Sequence, residues 1–291
     1  MEDTYNMRAF LLLTSFTCAL AYDSYQTKVI GYIDAGTCNS ITTGSLCGTN
    51  GTSYYSTFTY SGKRVVIISG IPDHTAETDQ KKTNPNIRCE RWQFMTVPIN
   101  PSKSSSVSAT DMGSIGLAVT GGVFYNDLSS NDGSLALTNE GTTLDSCFGH
   151  SDANKQYHYH ANINCTSAGS ATGANNAANC KLIGYMRDGV PLYGFCKNSS
   201  GTQFTSCYTR NSTATTTSVV TAGGTYTMAY YRSSYYYDTA AKTKGTCNLD
   251  QANGAIHPTT GQYSYFATYG YPFIPYYYFG ANGTGTICGA A

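Results

Sequence analysis

Charge is scarce in this chain. Asp, Glu, Lys and Arg make up 12% of its 291 residues and cancel to a formal net charge of zero, against about 25% charged residues in an ordinary soluble domain. No basic stripe follows a phosphate backbone or settles on an anionic bilayer, so nucleic acid is not an expected partner. Long apolar runs are also missing. The best, Ala9 to Phe16, falls short of the roughly 20 residues that a bilayer crossing needs, so no membrane span is expected. There is no Cys-x-x-Cys pair, no Gly-x-Ser-x-Gly elbow, no Gly-rich phosphate loop and no His-Glu-x-x-His, which removes the usual motifs of structural zinc, serine hydrolysis, nucleotide binding and metalloproteolysis. Carboxylates are few, and Asp145, Asp188 and Asp250 occupy turn-like positions where an Asp side chain satisfies backbone N–H groups, not the paired setting of a glycosidase.

What is present points out of the cytoplasm. Arg8 precedes a short apolar stretch that ends in Ala19-Leu20-Ala21, the pattern of a signal peptide cleaved after residue 21. Removing it takes away Cys18 and leaves an even set: Cys38, Cys47, Cys89, Cys147, Cys165, Cys180, Cys196, Cys207, Cys247 and Cys288. In an exported chain such a set reads as up to five disulfides and leaves no thiol nucleophile. Spacing does not give the pairing, although Cys38 with Cys47 and Cys196 with Cys207 would close short loops, and Cys147 with Cys165 would fasten the segment between them. Asn50, Asn164, Asn198, Asn211 and Asn282 each begin an Asn-x-Ser/Thr acceptor for N-linked glycans. A near-neutral surface on a chain with 26 tyrosines needs covering by sugars or by a partner.

Strand signals dominate. Lys63 to Ser69 is a β-branched run closed by Gly70-Ile71-Pro72, Gly224 to Tyr231 is rich in strand formers, and long helical periodicity is absent after the leader. An internal repeat organises the rest. Ile115-Gly116-x4-Gly121-x2-Phe124-Tyr125 recurs as Ile183-Gly184-x4-Gly189-x2-Leu192-Tyr193, each reading as a hairpin. Leu144-Asp145-x3-Gly149 leads to Gln156-Tyr157-x-Tyr159-x-Ala161, and Leu249-Asp250-x3-Gly254 leads to Gln262-Tyr263-x-Tyr265-x-Ala267. The expected layout is a leader at 1–21, an N-terminal β region at 22–110, and a region at 111–291 with two related β units, 111–165 and 181–280. The second unit is enlarged between Cys196 and Cys247. The fold class is all-β: a disulfide-stapled, β-sandwich-like fold with little helix.

Four of the five histidines concentrate the chemistry. On a strand, residues two apart share a face about 6.6 Å apart, so His158 and His160 can chelate one ion while Tyr157 and Tyr159 face the other way. His150 lies just upstream, and His74 is a fourth candidate ligand. Three neutral imidazoles with an open position suit copper or zinc. The competing reading makes these histidines hydrogen-bonding members of a polar β core. In the second unit Ser264 and Phe266 stand where the first has His158 and His160, so a metal site belongs to the first unit.

Tyr157-His158-Tyr159-His160 resembles the signature tetrapeptide of the YHYH-domain family. The likeness extends to Ser69-Gly70-Ile71-Pro72-Asp73-His74, Asn84-Pro85-Asn86, Cys147-Phe148-Gly149-His150, Leu182 to Gly194 and Leu249-Asp250-x-x-Asn253-Gly254. It implies an extracellular β domain and transfers no activity. Two functions remain open at this level. One is a secreted, glycosylated structural or interaction protein that assembles with itself into a filament or matrix, its contact surface supplied by the aromatic tail Tyr271 to Phe279. The other is an extracellular copper- or zinc-binding protein or metalloenzyme. A carbohydrate-binding module, with tyrosines stacked on sugar rings, is a third and weaker option. No motif fixes an enzymatic activity.

Overall fold

A computed structural model describes residues 23–39, 41, 46–74, 84–161, 180–221, 224–280 and 285–289. The chain divides into two compact units, Met1–Thr37 and Cys38–Ala291. In the first, α1 (Ser24–Asp34) starts at a capping box. The Asp23 side chain accepts the N–H groups of Tyr25 and Gln26, while the Gln26 side chain accepts that of Asp23. A helix here corrects the expectation of β structure from residue 22: Asp-x-x-Gln satisfies the orphan donors of a helix start. The leader at 1–21 lies outside the described residues.

Strand accounts for 37% of the structure and helix for 13%, which makes it all-β. In the second unit β1 (Tyr55–Tyr60) and β2 (Lys63–Ile68) form a hairpin, and β3 (Gln93–Pro98) pairs with the far edge of β2. After β4 (Lys103–Ala109) come β5 (Ser114–Ala118), β6 (Val123–Tyr125), the short helix α2 (Ala136–Glu140), β7 (Gly149–Ser151) and β8 (Tyr157–Tyr159). The second half contributes β9 (Leu182–Met186) and β10 (Pro191–Tyr193), then an insertion with β11 (Tyr208–Arg210), β12 (Thr216–Thr221), β13 (Gly224–Ala229), β14 (Tyr235–Tyr237) and α3 (Thr239–Lys244). It ends with β15 (Gly254–Ile256), β16 (Tyr263–Phe266), β17 (Tyr277–Gly280) on β4, and β18 (Ile287–Cys288) on β3.

The repeat is a symmetry of one sheet. Eight strands run in the order β15-β16-β10-β9-β5-β6-β8-β7, which reads as the same four-strand pattern outward from the central β9-β5 pair. At that seam Gly116 lies on Tyr185 and Met186, and Gly184 on Leu117 and Ala118, close enough that a Cβ at either would meet backbone. In the first half β6 runs parallel to β8 with Phe124 opposite Tyr159, and in the second β10 runs parallel to β16 with Leu192 opposite Tyr265. The loops repeat as well. Asp145 accepts from the N–H groups of Cys147 and Gly149 and from Tyr157 Oη; Asp250 accepts from Ala252, Gly254 and Tyr263 Oη. Phe148 and Asn253 hold matching positive φ angles of 58° and 55°.

Alternation along the strands sorts the side chains into two cores. Ile115, Phe124, Tyr157, Tyr159, Ile183, Leu192, Tyr263 and Tyr265 pack with Tyr278 and the half-buried Val107 of the β4-β17 ribbon. Leu117, Val123 and Tyr185 face the other way and pack on Val66, Ile68, Met95 and Val97 of β2 and β3. The central sheet is therefore the middle layer of a stack. Burying whole Tyr and Phe side chains at about 25 cal/mol per Å² drives this arrangement, because so few charges oppose it.

Disulfides join Cys38 to Cys288, Cys47 to Cys89, Cys180 to Cys196 and Cys207 to Cys247. The two short loops suggested by spacing do not form. Cys38 instead bridges 250 residues to the last strand, and Cys207 closes the insertion. Cys147 is also disulfide-bonded, while Cys165, with Asn164 and Asn282, lies outside the described residues. The aromatic tail is another correction. Tyr271, Phe273, Ile274, Tyr276 and Tyr278 are buried, so this segment fills the core and is not a contact surface.

Candidate metal centre

His150 and His158 face each other across the β7-β8 pair, and His160 lies two residues beyond His158 on the same face. Because His158 pairs in register with Val123, that face is opposite the one to which Phe124, Tyr157 and Tyr159 contribute. Glu140, the last residue of α2, closes the group from a different segment. One donor atom from each of these four residues lies within 4.8 Å of the others. The imidazoles are almost wholly buried, whereas the Glu140 side chain keeps 24% exposure. Tyr125 stacks on the His158 ring, centroids 3.9 Å apart and 15° from parallel, and fixes its plane.

The protons in this cluster follow from the hydrogen bonds. His160 Nδ1 lies 2.8 Å from the carbonyl oxygen of Asn126, and His158 Nδ1 lies 3.2 Å from that of Gln156. A carbonyl only accepts, so both Nδ1 atoms carry the hydrogen. Thr143 Oγ1 donates to Glu140 O and thereby accepts from His150 Nδ1 at 2.7 Å. Burial holds His158 well below the ordinary imidazole value and takes His160 down to about 4, so neither gains a second proton at neutral pH. Burial pushes the Glu140 carboxyl up, but His150 and His160 outweigh it and hold the group below its usual value.

The consequence is a confrontation of lone pairs. His158 Nε2 and His160 Nε2 lie 3.0 Å apart, and His150 Nε2 lies 3.0 Å from Glu140 Oε2, with His160 Nε2 at 3.6 Å from the same oxygen. The first of these contacts puts acceptor against acceptor, while the His150 contact is the hydrogen bond that helps hold the Glu140 carboxyl down. A cation between them turns that repulsion into coordination. Donors 2.0–2.1 Å from one ion lie about 3.0–3.4 Å from one another, depending on whether the geometry is octahedral or tetrahedral. The Nδ1 hydrogen bonds are the outer contacts that orient metal-bound imidazoles and fix their tautomer.

A family model described as YHYH protein matches residues 94–280. The chain belongs to the YHYH family. The match covers more than half of the chain and takes in both related units and all four clustered residues; the blocks at 69–74 and 84–86 precede it. No curated protein and no solved structure matches this YHYH protein significantly.

His74 does not join the other three histidines. It sits on the opposite face of β8, with Nε2 3.0 Å from Tyr157 Oη and 3.4 Å from Asp145 Oδ2. The repeat explains its place, because the equivalent Asp250 takes Lys103 Nζ at 2.8 Å beside Tyr263. His74 is thus the first unit's counter-cation. The neighbouring trio of His74, Asp145 and Cys147 offers no thiolate, since that sulfur is in a disulfide. Burial pulls the His74 value down, but Asp145 and Asp73 outweigh it and raise it above the ordinary imidazole value. A raised folded-state value contributes stability that is complete below about pH 6.5 and is lost as pH rises through the folded value. The lowered values of His158 and His160 give the opposite slope, so the test is the difference: the urea midpoint of wild type is expected to lose ground to that of His74→Gln as pH rises from 6 to 8, and a difference that does not change with pH would refute this assignment.

Two other residues behave differently from their appearance in the sequence. Asp152, adjacent to the cluster in sequence, is engaged by Gln156 N–H and Tyr125 Oη. Glu140 was not a candidate. Its signal was indirect: in a chain with so few carboxylates, one in Asn139-Glu140-Gly141 just before the Leu144-Asp145 block stands out, but no spacing rule carries a short helix onto a strand.

Proposed function

We propose that this YHYH protein is an exported metal-binding protein that holds one divalent first-row transition ion, copper or zinc, on His150, His158, His160 and Glu140. The observation that carries the reading is the convergence of the Nε2 atoms of three imidazoles, two of them facing each other with no proton to share, and a carboxylate oxygen. Imidazole nitrogens suit copper and zinc, and a mixed nitrogen and oxygen set is common to both. Several disulfides fit an oxidising compartment, and among the described residues no helix is long and apolar enough to cross a membrane. Asn50 and Asn211 are exposed and Asn198 is half-buried, which supports glycans at these sites.

The test is metal analysis of protein purified from its native source without added metal, beside the His158→Ala/His160→Ala variant. About one copper or zinc per chain that disappears in the variant is expected; wild-type protein without metal that also fails to take up either ion refutes the reading. Self-assembly loses the aromatic tail as its contact surface but keeps the low charge and, among the described residues, the exposed Tyr230, Tyr231 and Tyr236 of the insertion. Electron microscopy showing only monomers at high concentration would dispose of it.

A further inference from the structure

The four donor residues line one cleft. It has a volume of about 520 Å³, and Asn84, Pro85, Asn86, Met112, Tyr125, Leu128, Ser129 and Asp152 complete most of its wall. An ion held by the cluster therefore sits on the wall of an open space, not inside a closed shell. The donors approach from the strand side, with imidazoles from β7, from β8 and from the residue just after β8, and the fourth ligand is the most exposed of the set.

The chemistry of the wall narrows what enters. Among the described lining residues there is no lysine and no arginine, while Glu140 and Asp152 bring two carboxylates. Apart from the ion itself, phosphorylated and polycarboxylate ligands find no counter-charge there and meet the two carboxylates. Acceptors lie along it: Asp152 keeps lone pairs beyond those used by Gln156 and Tyr125, Glu140 keeps lone pairs beyond the one facing His150, and Asn84 and Asn86 turn amide hydrogens to Ser151 O. Such a wall calls for a ligand that donates hydrogen bonds. An ammonium donates, but it has no lone pair for the ion and is repelled by it. A hydroxyl does both. Met112, Leu128 and Pro85 supply apolar surface between the polar groups, which matches the alternation of C–H faces and O–H edges on a sugar ring.

We propose that the bound ion keeps an exchangeable coordination position facing this cleft, and that the position and the cleft together take a neutral polyhydroxylated ligand, a saccharide, through one of its oxygens. This rests on the metal-binding reading above and adds to it the ligand class.

The experiment uses the full chain, loaded with one equivalent of Cu(II) and checked for stoichiometry by metal analysis. The visible and electron paramagnetic resonance spectra are then followed during addition of azide, inorganic phosphate and a panel of neutral oligosaccharides. Expected is a saturable change with azide and with at least one saccharide, and none with phosphate. Met112→Trp fills the cleft at a position that is 42% exposed; it is expected to retain copper and to weaken the saccharide response about 10-fold or more, the loss of one well-placed contact region. Copper bound one to one with a spectrum that no addition changes means a closed site, which overturns this proposal and leaves the metal-binding reading intact. A response to phosphate and to no neutral saccharide overturns the ligand class. Failure to bind copper or zinc at all overturns both.

Discussion

Gly149→Ala and Gly254→Ala are each expected to destabilise the protein by about 3 kcal/mol or more, at the upper end of what overpacking a core costs. Neither glycine has an unusual φ, so the cost is not conformational. Each lies beneath the phenol of the tyrosine that opens the next strand. A Cβ on Gly149 would fall well inside the van der Waals contact distance of Tyr157 Oη and only 2.7 Å from the His158 carbonyl oxygen, and a Cβ on Gly254 would overlap the Tyr263 phenol. The rings cannot swing aside, because Tyr157 Oη is tied to Asp145 at 2.6 Å and Tyr263 Oη to Asp250 at 2.9 Å. Gly270→Ala is the control, since nothing lies within 4 Å of its added carbon, and it is expected to change stability by less than about 0.5 kcal/mol. Urea midpoints of the three variants check this. Equal and small effects would mean that the glycine-tyrosine stacking is not what fixes the two hairpins.

The same pairs show what the sequence made legible. A strand glycine followed eight residues later by a tyrosine in one unit (Gly149, Tyr157) and nine in the other (Gly254, Tyr263) is a local pattern, so Leu-Asp-x3-Gly and Gln-Tyr-x-Tyr could be aligned without any structure. The period of two then placed His158 and His160 on one face and the tyrosines on the other, as the cores confirm. What failed were inferences across the chain. Cys38 was expected to suit a nearby partner, but the pairing follows the sheet, and β18 returns to β3 from 250 residues away. The tail from Tyr271 to Phe279 looked like a surface because its prolines break strand pairing, yet the volume between β17 and the insertion needed filling and its rings fill it. Glu140 and His74 exchanged places for the same reason. Sequence distance says nothing about which loop folds over a strand face, and only the fold shows that His74 answers to Lys103 in the repeat.

Saturating copper or zinc is expected to raise the melting temperature by about 10 °C. At a free ion concentration of about 1,000 times the dissociation constant, linkage contributes about 4 kcal/mol, and in a domain of this size each kcal/mol moves the midpoint by about 2–4 °C. The His158→Ala/His160→Ala variant should lose the shift entirely, and Thr143→Val, which removes the acceptor for His150 Nδ1 together with the hydroxyl's bond to Glu140 O, should retain it with affinity weakened about 10–100-fold. The metal-free proteins give the sharper comparison. If these histidines were hydrogen-bonding core residues, deleting two buried side chains would cost the metal-free fold several kcal/mol, as large-to-small core changes do. If they are ligands, the metal-free wild type already carries the repulsion of His158 Nε2 against His160 Nε2 at 3.0 Å, and removing it offsets much of the cavity cost. The ligand assignment therefore requires both a metal-free double variant within about 1 kcal/mol of metal-free wild type and a large gap between them once metal is added. A double variant that is badly destabilised without metal, in a protein whose melting temperature metal does not move, would return the three imidazoles to the core.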